Sequence, residues 1–197
     1  METWLSSLPP DSLLLAIMGV IFLNCHGLIP SNNDIHLIIG GALGSQFGIP
    51  FMWLWPGMML AMILGDFSAF SIGHTFGPKL LEIDFLKRKL PPEKMQSLKE
   101  KLNHNPFKVV LGIRLAPAIK PFLFMSLGIL KMTKMAFFKQ LATITIVHTF
   151  ILSCLSYYAY DLIKDLGQVK YLFIIASLVL WFFLVKAILK NNEVSPS

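Results

Sequence analysis

Residues 107–130, FKVVLGIRLAPAIKPFLFMSLGIL, have the length and apolarity of a membrane span, yet Arg114 and Lys120 lie at the centre with Pro117 and Pro121 beside them. A plain spanning helix tolerates neither feature. Cations at bilayer depth cost several kcal/mol unless they face water or a partner, and irregular backbone persists there only where protein or an aqueous cavity surrounds it. The pattern predicts a segment that folds back within the bilayer and carries a polar site.

Composition agrees with a membrane setting. Of 197 residues, 55% are hydrophobic and only 14% charged, with a mean hydropathy of +0.65, outside the range of ordinary soluble domains. At about 20 residues per spanning helix, the chain has room for roughly four to six embedded segments in one domain.

Residues 12–30 read as a first transmembrane helix that is retained, because METWLSSLPPD lacks the basic region of a cleavable signal. Residues 34–49 (DIHLIIGGALGSQFGI) hold Gly40, Gly41, Gly44 and Gly48 and are too short to cross twice, which predicts a re-entrant hairpin. Residues 51–76 are long enough to span and contain Gly65, Asp66, Gly73 and His74. Residues 78–105 mix charges with spaced leucines and read as an amphipathic surface segment, divided at Pro91 and Pro92. After the second re-entrant segment at 107–130, spans are expected at 135–160, with the polar run Thr143, Thr145, His148 and Thr149, and at 171–189, with Trp181, Lys186 and Lys190 at its end. The expected fold is thus an all-α integral membrane protein with about four transmembrane helices, two opposed re-entrant helical hairpins and a central amphipathic segment.

Lys79, Lys87, Arg88, Lys89, Lys94, Lys99 and Lys101 occupy the central connection, and Lys131, Lys134 and Lys139 flank the next span. The positive-inside rule places these in the cytoplasm. Four full crossings and two returns then put both termini in the cytoplasm as well. The order of re-entrant segment followed by span occurs twice, at 34–76 and 107–160, which is the pattern of an inverted-repeat transporter with a substrate site near the midplane.

The chemistry follows from residue type. Guanidinium offers a planar fork that binds phosphate bidentately, whereas ammonium acts as a point charge, so Arg114 is the first candidate for an anionic headgroup and Lys120 the second. Asp66, inside an apolar span, and Asp34 are candidates for charge pairing with those cations or for proton coupling. Pro117 and Pro121 break the hairpin; Gly40, Gly41, Gly44, Gly65 and Gly73 permit tight turns or close helix packing.

Each has a plainer reading. The cations can snorkel to the surface, Asp66 can be a structural ion pair, and Asp34 can cap a helix beside Asn32 and Asn33. His26, His36, His74, His104 and His148 have no metal-ligand spacing and read as packing or interface residues. Cys25 and Cys154 read as free thiols in apolar surroundings. The basic connection suits anionic lipid headgroups better than nucleic acid.

The runs GDFSAFSIGHTFG from Gly65, GIRLAPAIKP from Gly112 and LGILKM ending at Met132 resemble the motifs of the DedA family of SNARE-associated Golgi, or VTT-domain, membrane proteins. The resemblance extends over residues 28–160. It implies two opposed re-entrant hairpins and movement of a phospholipid or polyprenyl phosphate between leaflets, undecaprenyl phosphate in bacteria, with proton coupling and a plasma-membrane location. GIRLAPAIKP is similar to the family's Arg-x-x-Pro-x-x-Arg signature with Lys120 in place of the second Arg. Phe70 and His74 stand where Tyr and Arg are common, and IPSNND replaces the Pro-Gly pair before the usual acidic residue, so Asp34 fills that role only if displaced.

The expected function is a lipid transporter that recognises a phosphate headgroup, with no cofactor, no metal and no enzymatic step, compatible with a homo-oligomer. No nucleophile and base stand together in the context an enzyme needs. Two other classes remain open at this level: a proton-coupled exchanger of small ions or drugs, and a non-transporting assembly factor.

Overall fold

The computed structural model describes residues 9–27, 32–83, 87, 90–115 and 119–163. The span expected at 171–189, its flanking Trp181, Lys186 and Lys190, and Pro117 lie outside them. Among the described residues there are seven α-helices and no strand: α1 (Pro10–Asn24), α2 (Asn33–Gln46), α3 (Phe51–Phe76), α4 (Pro92–His104), α5 (Pro106–Leu115), α6 (Lys120–Ile129) and α7 (Lys134–Ile163). A 3₁₀ segment, Gly77–Glu82, follows α3.

Local chemistry accounts for the boundaries. Pro10, Pro92 and Pro121 each sit in the first turn of a helix, where a missing N–H removes no bond. Pro121 therefore opens α6, and the interruption of the 107–130 segment falls just before it. Asn32 caps α2 by accepting from the Asp34 N–H at 3.2 Å, which places Asp34 in the first turn rather than at the cap. α4 buries no residue, as an amphipathic surface helix should.

Two expectations need correction. Residues 34–49 contain no reversal; they form one unbroken helix, α2, of 14 residues and its terminal turn. The glycines there serve packing: a Cβ on Gly40 would meet Met58 and Ile17, on Gly44 the Leu54 side chain, and on Gly41 the Ser153 carbonyl and Ser156 hydroxyl. The first helix is also shorter than read, ending at Asn24 after 15 residues, or about 22 Å against a hydrocarbon core of about 30 Å. Among the described helices, α3 and α7 are the two long and apolar enough to cross a membrane, over Phe51–Phe76 and Lys134–Tyr160.

The chain repeats itself. Short, short and long helices occur as α1–α2–α3 and again as α5–α6–α7. Both second helices end the same way, with a left-handed residue (Gly48, φ 69°; Lys131, φ 61°) followed by an N–H that reaches back five residues, Ile49 to the Gly44 carbonyl at 2.8 Å and Met132 to the Leu127 carbonyl at 3.2 Å. The offset is constant at 83 residues: 48 to 131, 49 to 132, and 51 to 134 for the start of the long helix.

Packing then exchanges partners between the halves. The most extensive contacts are α2 on α7 and α3 on α6. Gly128 brings α6 against the backbone of Phe70, Gly73 and His74, and Gly41 brings α2 against Ser153 and Ser156. The same offset carries Phe70 and Gly73 to Ser153 and Ser156. Reciprocal pins close each crossing: Tyr157 of α7 donates to the Ile49 carbonyl at 3.0 Å, and Lys131 donates to the His74 carbonyl of α3 at 2.7 Å. Small residues at both crossings let backbones approach, which in lipid is the main source of helix association.

Candidate functional site

Two apolar clusters divide the interior. Leu13, Ile17, Ile21, Leu37, Leu54, Met58 and Met62 fill one, around α1–α3; Phe70, Val110, Ile113, Phe124, Phe137 and Leu141 fill the other, with Phe70 and Phe137 stacked at 4.1 Å. The polar residues lie at the seam. On α3 the stripe reads Met62, Asp66, Phe70, and on α7 it reads Ile144, His148, Leu152, each a polar step between neighbours from different clusters.

Asp66 is fully buried and anchors the site. Arg114 Nη1 donates to its Oδ2 at 2.8 Å. Lys120 Nζ lies 2.9 Å from Oδ1 and 3.2 Å from Oδ2. The break between α5 and α6 is what permits this, since Arg114 ends one helix and Lys120 begins the next. Six residues apart on one continuous helix they would point to different faces. Phe124 supports the ammonium from one side, its ring centre 5.9 Å from Nζ.

Arg114 Nη2 reaches Met62 Sδ and, at 3.3 Å, His148 Nδ1. The other imidazole nitrogen, Nε2, faces Asp34 Oδ1 at 3.6 Å. A continuous series results: Asp34, His148, Arg114, Asp66, Lys120, drawn from α2, α7, α5, α3 and α6. All five are buried, none more than 8% exposed. Cys25, also buried, closes the α1 side, with Asn33 Nδ2 donating to its Sγ at 3.3 Å and Gly65 leaving room for it.

The sequence therefore brought Arg114, Lys120, Asp66 and Asp34 to one place. Gly65 and Gly73 pack α3 against Cys25 and against the Met125 backbone, one residue before and two turns after Asp66. His148 is the residue that sequence reading assigned to packing. Its signal was weak, a histidine one turn beyond Thr145 in an apolar helix, and its partners come from distant segments.

Chemically the arrangement is one buried carboxylate held between a guanidinium and an ammonium. Both cations share one carboxylate, and Arg114 Nε, although buried, has no hydrogen-bond partner among the described residues. A buried unmade bond costs about 1–3 kcal/mol, so an acceptor that could engage the whole guanidinium edge would gain what Asp66 leaves unused. Elsewhere, a cavity of about 320 Å³ between α4 and the end of α6 is lined by Leu81, Leu90, Met95 and Leu130 with Lys87 and Lys99.

The sequence model of the VTT domain matches residues 9–158. No curated protein and no solved structure matches the chain. With the match covering both helical repeats and every residue of the buried charge series, this chain belongs to the VTT-domain family, the membrane proteins of the DedA and SNARE-associated Golgi type.

Proposed function

We propose that the protein moves a phosphate-bearing lipid, a polyprenyl phosphate such as undecaprenyl phosphate or a phospholipid, between the leaflets of the plasma membrane. It acts as a carrier rather than an enzyme. The observation that carries this reading is the convergence of Arg114 and Lys120 on a single buried carboxylate at a helix break. Asp66 holds the place that a phosphate would take, and the headgroup competes for the same donors. A guanidinium with a spare N–H favours an anion with three or four oxygens over a carboxylate with two.

In this reading the chain is multi-pass, with α3 and α7 as spans and the short helix pairs as opposed re-entrant elements. α5 and α6 have ten residues each, about 15 Å, half a hydrocarbon core. Exposed apolar side chains on α3 and α7, among them Trp53, Leu64, Val147 and Leu155, suit contact with acyl chains. The Lys-lined cavity beside α4 suits headgroups gathered at the inner leaflet.

The test is headgroup exposure in liposomes containing the purified protein, with polyprenyl phosphate and ordinary phospholipid assayed in parallel. Wild type should accelerate exposure of at least one lipid, and Arg114→Ala should lose about tenfold or more of that rate. Equal rates for wild type and Arg114→Ala, or no acceleration of either lipid, would overturn the reading. A proton-coupled exchanger of small ions is the second reading, favoured by the His148–Asp34 contact; ion flux in the same liposomes without lipid movement would select it.

A further inference from the structure

We infer that Thr145 is a further contact for the headgroup, its hydroxyl donating to the anion that Arg114 holds. This inference rests on the phosphate reading above and adds to it a residue that helps decide which anions fit.

Thr145 is fully buried, and its Oγ1 has no hydrogen-bond partner among the described residues. A hydroxyl inside a helix has a ready acceptor in the carbonyl four residues earlier. Ser71, Ser126, Thr143 and Thr149 all use that acceptor, at 2.8–2.9 Å. Thr145 does not, although Thr149 donates to the Thr145 carbonyl one turn back. A buried hydroxyl without a bond is costly unless something else supplies the acceptor.

Three observations put that hydroxyl beside the Arg114 guanidinium. His148, whose Nδ1 lies 3.3 Å from Arg114 Nη2, is three residues further along α7, and residues so spaced on a helix have Cβ atoms about 5–6 Å apart. α5 packs on α7 at this level: Ile113 and Ile144, the residues just before Arg114 and Thr145, belong to one apolar cluster. The repeat agrees as well, since the offset of 83 carries Met62 to Thr145, and Met62 Sδ touches Arg114 Nη2. Equivalent positions on the two long helices therefore flank the same guanidinium, a thioether from α3 and a hydroxyl from α7.

The chemistry of the anion completes the argument. Asp66 offers two oxygens, and Arg114 Nη1 and Lys120 take both. Arg114 Nε is buried and unbonded, as is the Thr145 hydroxyl. A phosphate group has further oxygens for these two donors, so its binding makes bonds that a carboxylate leaves unmade. The hydroxyl adds no charge. It contributes through geometry, in favour of a tetrahedral oxyanion over a planar one.

The experiment is calorimetric titration of the detergent-purified full chain with dihexanoyl phosphatidylglycerol, farnesyl phosphate and inorganic phosphate in separate arms. Wild type should bind at least one of the two lipids. Thr145→Val keeps the shape and removes the hydroxyl; it should weaken that binding about tenfold, and Thr145→Ser should restore it to within about twofold. The unfolding midpoint of the empty protein should not fall in Thr145→Val, because the lost hydroxyl has no partner there, whereas a structural role would lower it. Ser153→Ala removes another buried, unbonded hydroxyl two turns further along α7 and should leave affinity unchanged. Unchanged affinity in Thr145→Val, a midpoint that falls together with affinity, or an equal loss in Ser153→Ala overturns this inference and leaves the phosphate reading standing. Failure of wild type to bind any probe overturns the phosphate reading and this inference with it. Binding of inorganic phosphate alone, weakened by Thr145→Val, upholds the hydroxyl contact and overturns the lipid as its source.

Discussion

The two halves of the molecule share a plan and differ in charge. Each has two short helices and one long one, each ends its second short helix in the same five-residue turn, and each crosses the other half through small residues. Yet the first half contributes both carboxylates, Asp34 and Asp66, and the second contributes Arg114, Lys120 and His148. At the constant offset of 83, Thr149 stands where Asp66 does and Leu37 where Lys120 does. Neither half could bury its own charges. The repeats are complementary rather than identical, and the charged seam that joins them is also the proposed binding site.

Removing the shared anion should break that complementarity most severely. Asp66→Leu leaves two buried cations without their carboxylate and should cost about 3–5 kcal/mol, read as a large fall in the unfolding midpoint of the detergent-purified protein. Adding Arg114→Met and Lys120→Met to Asp66→Leu should recover most of that stability while abolishing anion binding. No recovery would mean that Asp66 stabilises the fold by some route other than these ion pairs.

The crossings are the next test. Gly73→Val places a side chain against the Met125 backbone, so α3 and α6 must separate or shift, at a cost of about 1–3 kcal/mol in the same measurement. A neutral outcome would show that the crossing gives way easily, and the closeness of the backbones would lose its significance.

The smallest effect separates conformational cost from packing. At Gly48 no described residue lies within 4 Å of the place a Cβ would take, and its φ is 69°. Gly48→Ala should therefore cost only about 1 kcal/mol, the penalty for a side chain in the left-handed region. A much larger loss would indicate that the α2 turn is held by contacts the second half lacks at Lys131.

Legibility in the sequence followed from how local each cause is. Arg114, Lys120 and Asp66 were readable because ionisable groups inside apolar runs need an explanation wherever the chain goes. The limits of α3 were readable too, since Pro50 and Gly77 bracket the helix. The glycines of residues 34–49 misled, because a glycine that permits close packing and one that permits a turn look alike in one dimension; only Gly48 turns. Pro121 misled in a similar way, since a proline that opens a helix and one that interrupts it differ only in where the first turn begins. His148 was missed because Arg114 and Asp34 give it meaning, and they lie 34 and 114 positions away in the chain.

Residue order alone established a greasy helical chain, the placement of its polar faults, its family signature and the two long helices, all of which depend on hydration of neighbouring side chains and on backbone chemistry a few residues wide. Which acid meets which base was decided when α2 packed on α7 and α3 on α6. Coulombic pairing and hydrogen-bond direction depend on distances of a few ångströms between segments remote in the chain, and no spacing along the chain encodes those distances.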